Sequence, residues 1–351
     1  MQHTWIDGFL RSSLHNAAIV ELGLMYNPDA VSRMLEFVLQ RPNQPNQSVP
    51  TGKSIFKVFE ENGRSLLILG KPGSGKTITL LQLAETLIHK AQQDEAQPVP
   101  IILNLSSWQH QELADWLIEE MFCQYQVAKS LTHSWIECNQ LLLLLDGLDE
   151  VAEAYRDDCI KAINKFKASY PAELVVCSRI DDYECLGARL NLPNAVLIQP
   201  LTPLQIETHL KSFGGGLYER IREALAHDKD LQALAKSPLM LNIMIISYRD
   251  PEPKELSVSA SPDDKRRYLL STYVERMFER RPLHTDAGYD RSQALHWLMN
   301  LAGGMSRHQL SIFHIERLQP SSSPLTGIDP HLLMRIDPPE LCSGFDPSLI
   351  F

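Results

Sequence analysis

One octapeptide constrains this chain more than any other stretch. Gly70-Lys71-Pro72-Gly73-Ser74-Gly75-Lys76-Thr77 satisfies GxxxxGK[ST], and it lies between an apolar run, Ser65 to Leu69, and an amphipathic stretch, Thr77 to Gln92. Glycines let the backbone turn its N–H groups inward, and the helix that follows adds partial positive charge at its N-terminus. Lys76 offers a mobile ammonium to the outer phosphates of a nucleotide, and Thr77 offers a hydroxyl to Mg²⁺. The candidate phosphate-binding residues are therefore Gly70, Lys71, Pro72, Gly73, Ser74, Gly75, Lys76 and Thr77, with Ile78 next in the helix. Such a loop works only between a strand and a helix, so the chain must build an α/β core around it.

The rest of the middle of the chain agrees. Pro100 to Leu105, Gln140 to Leu145, Leu174 to Cys177 and Ala195 to Ile198 are short apolar runs, and helical patterns such as Leu113 to Tyr125 stand between most of them. Continuous apolar strands separated by helices predict a mainly parallel sheet covered on both faces. After Pro200 the strand signal stops. Pro203 to Phe213, Leu217 to Ala226, Leu231 to Tyr248 and Tyr268 to Arg280 read as helices of a second, helical domain.

At the ends the signal differs. Asn27-Pro28 reads as an N-cap with a first-turn proline, and Val31, Met34, Leu35 and Val38 recur at helical spacing, so residues 1–40 read as a helical segment. Residues 41–53, rich in Pro, Asn and Gln, read as a linker. The core is expected over 54–200, a helical lid over 201–250 and further helices over 251–318. Residues 319–351, with six prolines among serines, read as a disordered or truncated tail.

A second chemical signal is Leu141 to Leu145 followed by Asp146-Gly147-Leu148-Asp149-Glu150. An acid at the carboxyl end of a buried strand can face the mouth of the phosphate loop, where Asp146 would hold Mg²⁺ directly or through water. Asp149 and Glu150 are placed to orient or deprotonate an attacking water. The plainer reading of both is a pair of solvated loop acids.

These residues together resemble the NACHT class of signal-transducing NTPases, in its bacterial type. The resemblance rests on the phosphate loop after Leu66-Leu67-Ile68-Leu69, on Leu142 to Glu150 with a small Gly147 after the first acid, on Cys177-Ser178-Arg179 with Tyr183-Glu184, and on Ser237-Pro238-Leu239-Met240-Leu241. It implies a P-loop NTPase core with an extra strand between the loop strand and the Asp146 strand, then a helical lid and a partial winged-helix region. It also implies that Arg179 is a sensor of the γ-phosphate and that Pro238 packs near the adenine. Read without the family, Arg179 has a plainer alternative as a surface cation after a buried strand, and Pro238 as the first residue of a helix. Members of the class carry a nucleotide-contacting histidine in the winged-helix region; His284, His296, His308 and His314 all lie there, and none is assigned. No sensor repeat or effector domain is recognisable, so the chain resembles a fragment of a longer protein.

Composition narrows the partners. With 351 residues, 44% hydrophobic and 22% charged, the chain can bury a core, and its net charge of -10 provides no general positive field for nucleic acid or anionic membrane. Lys265-Arg266-Arg267 is a local basic run, read as the solvated face of a packed helix. Trp108, Trp116 and Trp135 follow no base-stacking pattern and read as core or rim. The six cysteines show no CxxC pair, which predicts reduced thiols in a cytoplasmic protein, and no apolar run reaches the roughly 18 residues that cross a bilayer. The expected function is an ATP-binding, slowly hydrolysing switch using Mg²⁺, with ATP preferred over GTP, and forming a homo-oligomer when activated. The rival is a nucleic-acid-acting ATPase, a motor or loader, which the acidity and the absence of a helicase motif set disfavour.

Overall fold

The computed structural model describes residues 6, 35–40, 47–48, 53–213, 215–248, 261–280 and 291–307. Along the chain run β1 (Phe37–Gln40), β2 (Gln47–Ser48), α1 (Ile55–Glu61), β3 (Ser65–Gly70), α2 (Lys76–Gln93) and β4 (Val99–Asn104). Next come α3 (Leu113–Tyr125), α4 (Lys129–Glu137), β5 (Leu141–Asp146), α5 (Arg156–Ser169), β6 (Glu173–Arg179), α6 (Ile180–Glu184) and β7 (Ala195–Ile198). The remainder is helical: α7 (Pro203–Lys211), α8 (Gly215–His227), α9 (Lys229–Ala235), α10 (Pro238–Ser247), α11 (Pro262–Arg280) and α12 (Arg291–Arg307).

The described strands form one sheet in the order β2-β1-β7-β3-β6-β5-β4. The run from β7 to β4 is parallel throughout, and β6 lies between β3 and β5. Alternate residues of these strands face opposite sides of the sheet, yet Leu66, Leu67, Ile68 and Leu69 are all buried, as are Leu142 to Leu145. Both faces must therefore be covered, which is why the strands are apolar without alternation. On one face Leu67, Leu103, Leu143, Leu145 and Val176 pack with Trp116, Leu117, Ile160 and Ile163. Pro100, which has no N–H for a ladder, is tolerated because β4 ends the sheet among the described strands. Trp108 and Trp116 are buried, as expected of core residues. The described cysteines, Cys123, Cys138, Cys159, Cys177 and Cys185, are free thiols.

The structure differs from the sequence reading in three places. Val38 was placed on a helix with Val31, Met34 and Leu35, but Phe37–Gln40 is a strand antiparallel to β7. Phe37 and Leu39 are buried and Val38 and Gln40 half-buried, so the four-residue run satisfies a period of two, and only its partner β7 decides between the periods. Pairing of β1 with β2 also puts Gln47 and Ser48 in the sheet, inside the segment read as a linker; Val31 and Met34 lie outside the described residues. Leu231 to Tyr248 is not one helix: α9 ends at Ala235 and α10 begins at Pro238. Proline lacks the N–H that a continuing helix needs and pushes Ser237 toward extended backbone.

The third difference is the basic run. Lys265 is buried, and its ammonium sits 2.8 Å from carboxylate oxygens of both Asp228 and Asp230, while Arg266 and Arg267 are exposed. Two acids from the α8–α9 junction neutralise the lysine, which is what allows the charge to leave water.

The described chain divides into two compact units: residues 1–215 with 235–242, which hold the sheet, and residues 216–234 with 243–351. The second is tied internally by Lys265, by Arg220 donating to the Tyr248 carbonyl at 3.2 Å, and by Ser247 donating to the Leu269 carbonyl at 3.3 Å. The expected tail, 319–351, lies outside the described residues. No described helix is long and apolar enough to cross a membrane.

The covered sheet sets a stability test. Leu144 is fully buried at the centre of β5, so Leu144→Ala should lower unfolding free energy by about 2–5 kcal/mol in urea denaturation. Leu204→Ala, at a side chain 73% exposed, should change it by less than about 0.5 kcal/mol.

Candidate functional site

Parallel register brings the chemically active strand ends to one edge of the sheet. Gly70 at the end of β3 is opposite Arg179 at the end of β6, and Asn104 at the end of β4 is opposite Asp146 at the end of β5. Ligands of open α/β sheets bind outside such carboxyl ends. Because β6 lies between β3 and β5, Arg179 stands between the phosphate loop and the acid strand.

The loop Gly70–Thr77 turns into α2 at Gly75, whose φ of 93° is left-handed. Gly73 is also left-handed, at φ 70°, and a Cβ there would meet Ser237 Oγ at 2.8 Å and Leu239 Cβ at 3.0 Å. Its carbonyl accepts from the Ser237 hydroxyl at 3.1 Å and from the Leu239 N–H at 3.3 Å. The first turn of α10 is thus fastened to the loop, with Pro238 between the two fastening residues. Lys71 and Pro72 are exposed, while Ile78 is half-buried in the first turn of α2. The Lys76 ammonium donates to the Gly70 carbonyl at 3.1 Å and to the Lys71 carbonyl at 3.4 Å. Ser74 Oγ is buried without a hydrogen-bond partner among the described residues, a donor turned into the loop.

Across the loop, Thr77 donates its hydroxyl to Asp146 Oδ2 at 2.7 Å, and the Gly147 N–H donates to Asp146 Oδ1 at 3.0 Å. Burial holds the Asp146 carboxyl above its ordinary pKa, against the pull of the Thr77 hydrogen bond. A hydroxyl and a hard carboxylate oxygen this close, on a carboxylate that burial leaves short of compensating charge, fit the oxygen donor set of Mg²⁺.

Asp149 and Glu150, which the sequence presents as a pair, have separate surroundings. Asp149 is nearly buried: Oδ1 accepts the Arg179 N–H at 3.0 Å and Oδ2 pairs with the Arg179 guanidinium at 2.9 Å. It is not a solvated loop acid, and Arg179 is not a lone surface cation, although its side chain remains 46% exposed. Glu150 instead accepts a hydrogen bond from Asn104 Nδ2 at 2.9 Å. Burial raises its pKa, the Asn104 hydrogen bond opposes this, and the negative charges of Asp146 and Asp149 add to the rise. Asn104 was not singled out in the sequence. Its amide is oriented because its oxygen accepts the Ser106 N–H at 2.7 Å, leaving the nitrogen for Glu150. The one available signal was a polar residue ending an apolar strand. Gly147 permits this arrangement: at φ 75°, a Cβ would lie 2.7 Å from Glu150 Oε2.

His284, His308 and His314 lie outside the described residues, and His296 on α12 hydrogen-bonds Asn300 at 2.9 Å.

Residues 64–211 match the NACHT domain family. The chain carries a NACHT domain. The match runs from just before β3 to the end of α7 and contains the loop, Asp146, Asp149, Glu150 and Arg179, so this edge of the sheet lies within a NACHT-class P-loop NTPase domain, a family that generally binds nucleotide. Solved structures similar to the chain include the Aeropyrum pernix Orc1 protein in complex with DNA, at 14% identity over 74% of this chain and 77% of that one, with a TM-score of 0.42. Drosophila ORC bound to DNA is similar at 16% identity over 85% and 74%, with a TM-score of 0.41. C. elegans PCH-2 is similar at 16% over 63% and 64%, with a TM-score of 0.29. No curated protein matches the sequence significantly.

The raised pKa of Asp146 has a sign that can be tested. Between the ordinary value of 3.8 and the raised one, the folded nucleotide-free protein holds the proton more tightly than the unfolded chain, so stability falls as pH rises through that window. Above it, the buried ionised carboxylate is a constant cost. The nucleotide-free Asp146→Asn variant should therefore melt at a higher temperature than the parent at neutral pH, with a flatter pH dependence through the window. A lower melting temperature in scanning calorimetry would contradict a destabilising carboxylate at this position.

Proposed function

We propose that the NACHT domain is an ATP-driven switch that hydrolyses slowly. The reading is carried by one observation: Arg179, in register with Gly70 of the phosphate loop, has its guanidinium paired with Asp149 beside Glu150. A γ-phosphate in the loop and the Asp149 carboxylate compete for the same cation. Triphosphate draws Arg179 off Asp149, and diphosphate lacks the group that could do so. Each nucleotide thus has differential contacts with two arrangements of the sensor segment, which is what a switch requires.

In this proposal the loop N–H groups and Lys76 hold the phosphates, Lys76 exchanging its carbonyl partners for phosphate oxygens. Thr77 and Asp146 hold Mg²⁺, which when bound offsets phosphate charge. Glu150, relatively basic for a carboxylate because it is buried among acids, accepts the proton of the attacking water, while Asn104 fixes its carboxyl in the resting arrangement. Asp149 serves as the counter-charge of Arg179. Pro238, held beside Gly73, is proposed to line the base, and ATP is proposed over GTP. Self-association in the triphosphate state, a cytoplasmic location and a role in bacterial signalling or defence complete the proposal, which calls for no nucleic-acid partner.

Lys76→Ala should abolish binding of a fluorescent ATP analogue in a folded protein. Glu150→Gln should keep binding but lower single-turnover hydrolysis by roughly 10²-fold or more. Hydrogen exchange around 178–184 and 237–248 should differ between diphosphate and non-hydrolysable triphosphate complexes, and Arg179→Ala should erase most of that difference while diphosphate affinity stays close to wild type. Identical exchange in the two complexes would sink the switch, and ATPase activity stimulated by DNA or RNA would favour a nucleic-acid-acting ATPase instead.

A further inference from the structure

We infer that Arg156 is a positioning residue for nucleotide hydrolysis, gripping the turn that carries Glu150 and tying it to the helix that follows Arg179. The inference rests on the hydrolytic reading of the site.

Arg156 opens α5, and its side chain is only 18% exposed. Its guanidinium points back at the acid turn. Nε donates to the Val151 carbonyl at 2.9 Å, one terminal nitrogen donates to the Asp149 carbonyl at 2.6 Å, and the other donates to Asp182 Oδ1 at 2.9 Å. Asp149 and Val151 flank Glu150, so one planar group holds the backbone on both sides of that residue. The turn itself is a single 3-10 turn, Leu148–Glu150, closed by the Glu150 N–H to the Gly147 carbonyl at 2.9 Å and by a longer Val151 N–H to Leu148 carbonyl bond at 3.4 Å. So short an element has little rigidity of its own.

The third contact gives the grip a direction. Asp182 lies in α6, immediately after Arg179, so the acid turn and the sensor segment are joined by three contacts: the Arg179 guanidinium on Asp149 Oδ2, the Arg179 N–H on Asp149 Oδ1, and Arg156 on Asp182. If a γ-phosphate draws the Arg179 guanidinium off Asp149, the first contact opens. The backbone contact and the Arg156 fork do not involve that guanidinium and stay closed. The fork, which holds the backbone on both sides of Glu150, carries a displacement of the sensor segment to the whole turn, and therefore to the Glu150 carboxylate. Three acceptors at three different atoms need the rigid fork of five N–H donors that only arginine has; a lysine ammonium places all its protons on one atom.

Arg156→Gln should lower kcat by about 10-fold or more, since small misplacement of a reacting group is costly, while KM for Mg-ATP stays within about twofold. Arg156→Lys should fail to restore kcat although it restores the charge. Asp182→Asn, at a more exposed side chain, guards against a folding defect in the Arg156 variants; it should lower kcat in the same direction, and the double variant should be no worse than Arg156→Gln alone. Hydrogen exchange supplies a readout that does not depend on turnover. In Arg156→Gln, the difference between triphosphate and diphosphate complexes should persist at 178–184 and shrink at 147–151. Unchanged kcat in both single variants overturns the inference. So does full rescue by lysine, or a loss of kcat that follows only a lowered melting temperature. Wild-type turnover that is indifferent to Glu150→Gln would instead strike the hydrolytic reading itself, and so separates the two failures.

Discussion

The insertion of β6 between β3 and β5 is the constraint on which the rest of the site depends. A strand placed there delivers its last residue, Arg179, between the phosphate loop and the Asp146 strand. Were β5 the neighbour of β3, no strand end would separate loop and acid, and no cation would stand between them. Because every strand from β7 to β4 is parallel, all the carboxyl ends share one edge, and loop, cation and acids converge without any long connection.

Electrostatics at this edge follow from that crowding. Asp146, Asp149 and Glu150 lie within five residues at the end of a buried strand, and each is relieved differently. Asp149 has Arg179, Glu150 has the Asn104 amide, and Asp146 has only hydroxyl and backbone N–H donors. Burial therefore raises the pKa of both Asp146 and Glu150. A carboxylate held by hydrogen bonds, with no cation bonded to it, is the natural place for an added one, and a carboxylate beside it with an elevated proton affinity is suited to accept a proton. One local sequence thus yields three chemically distinct acids, because distant residues attend to each.

How much of this was legible depended on the range of the interactions. The boundaries of α3 and the strands of the core followed from apolar runs and helical periodicity, since those patterns are local. The phosphate loop was legible for the same reason: eight consecutive residues carry the whole backbone turn. By contrast, Val38 was misplaced because four residues fit two periods and only pairing with β7 selects one. Lys265 read as solvated because its partners Asp228 and Asp230 lie more than thirty positions earlier. Asn104 and Arg156 carried no motif, and their significance lies in what they touch.

The sequence by itself determined that the chain contains a phosphate loop between a strand and a helix, an acid-ended apolar strand downstream, and enough alternating elements for a covered parallel sheet. These are properties of contiguous residues, set by backbone conformation and by the periodicity of burial. Only the tertiary structure decided that Asp149 is bound to Arg179 while Glu150 is held by Asn104, that Gly73 is fastened to Ser237 and Leu239, and that Arg156 joins the acid turn to Asp182. Those contacts span from 26 to 166 positions in all but the Arg156 carbonyl bonds. The physical reason is that hydrogen bonds and ion pairs act over a few ångströms, and which groups come that close is set by strand order and register rather than by distance along the chain.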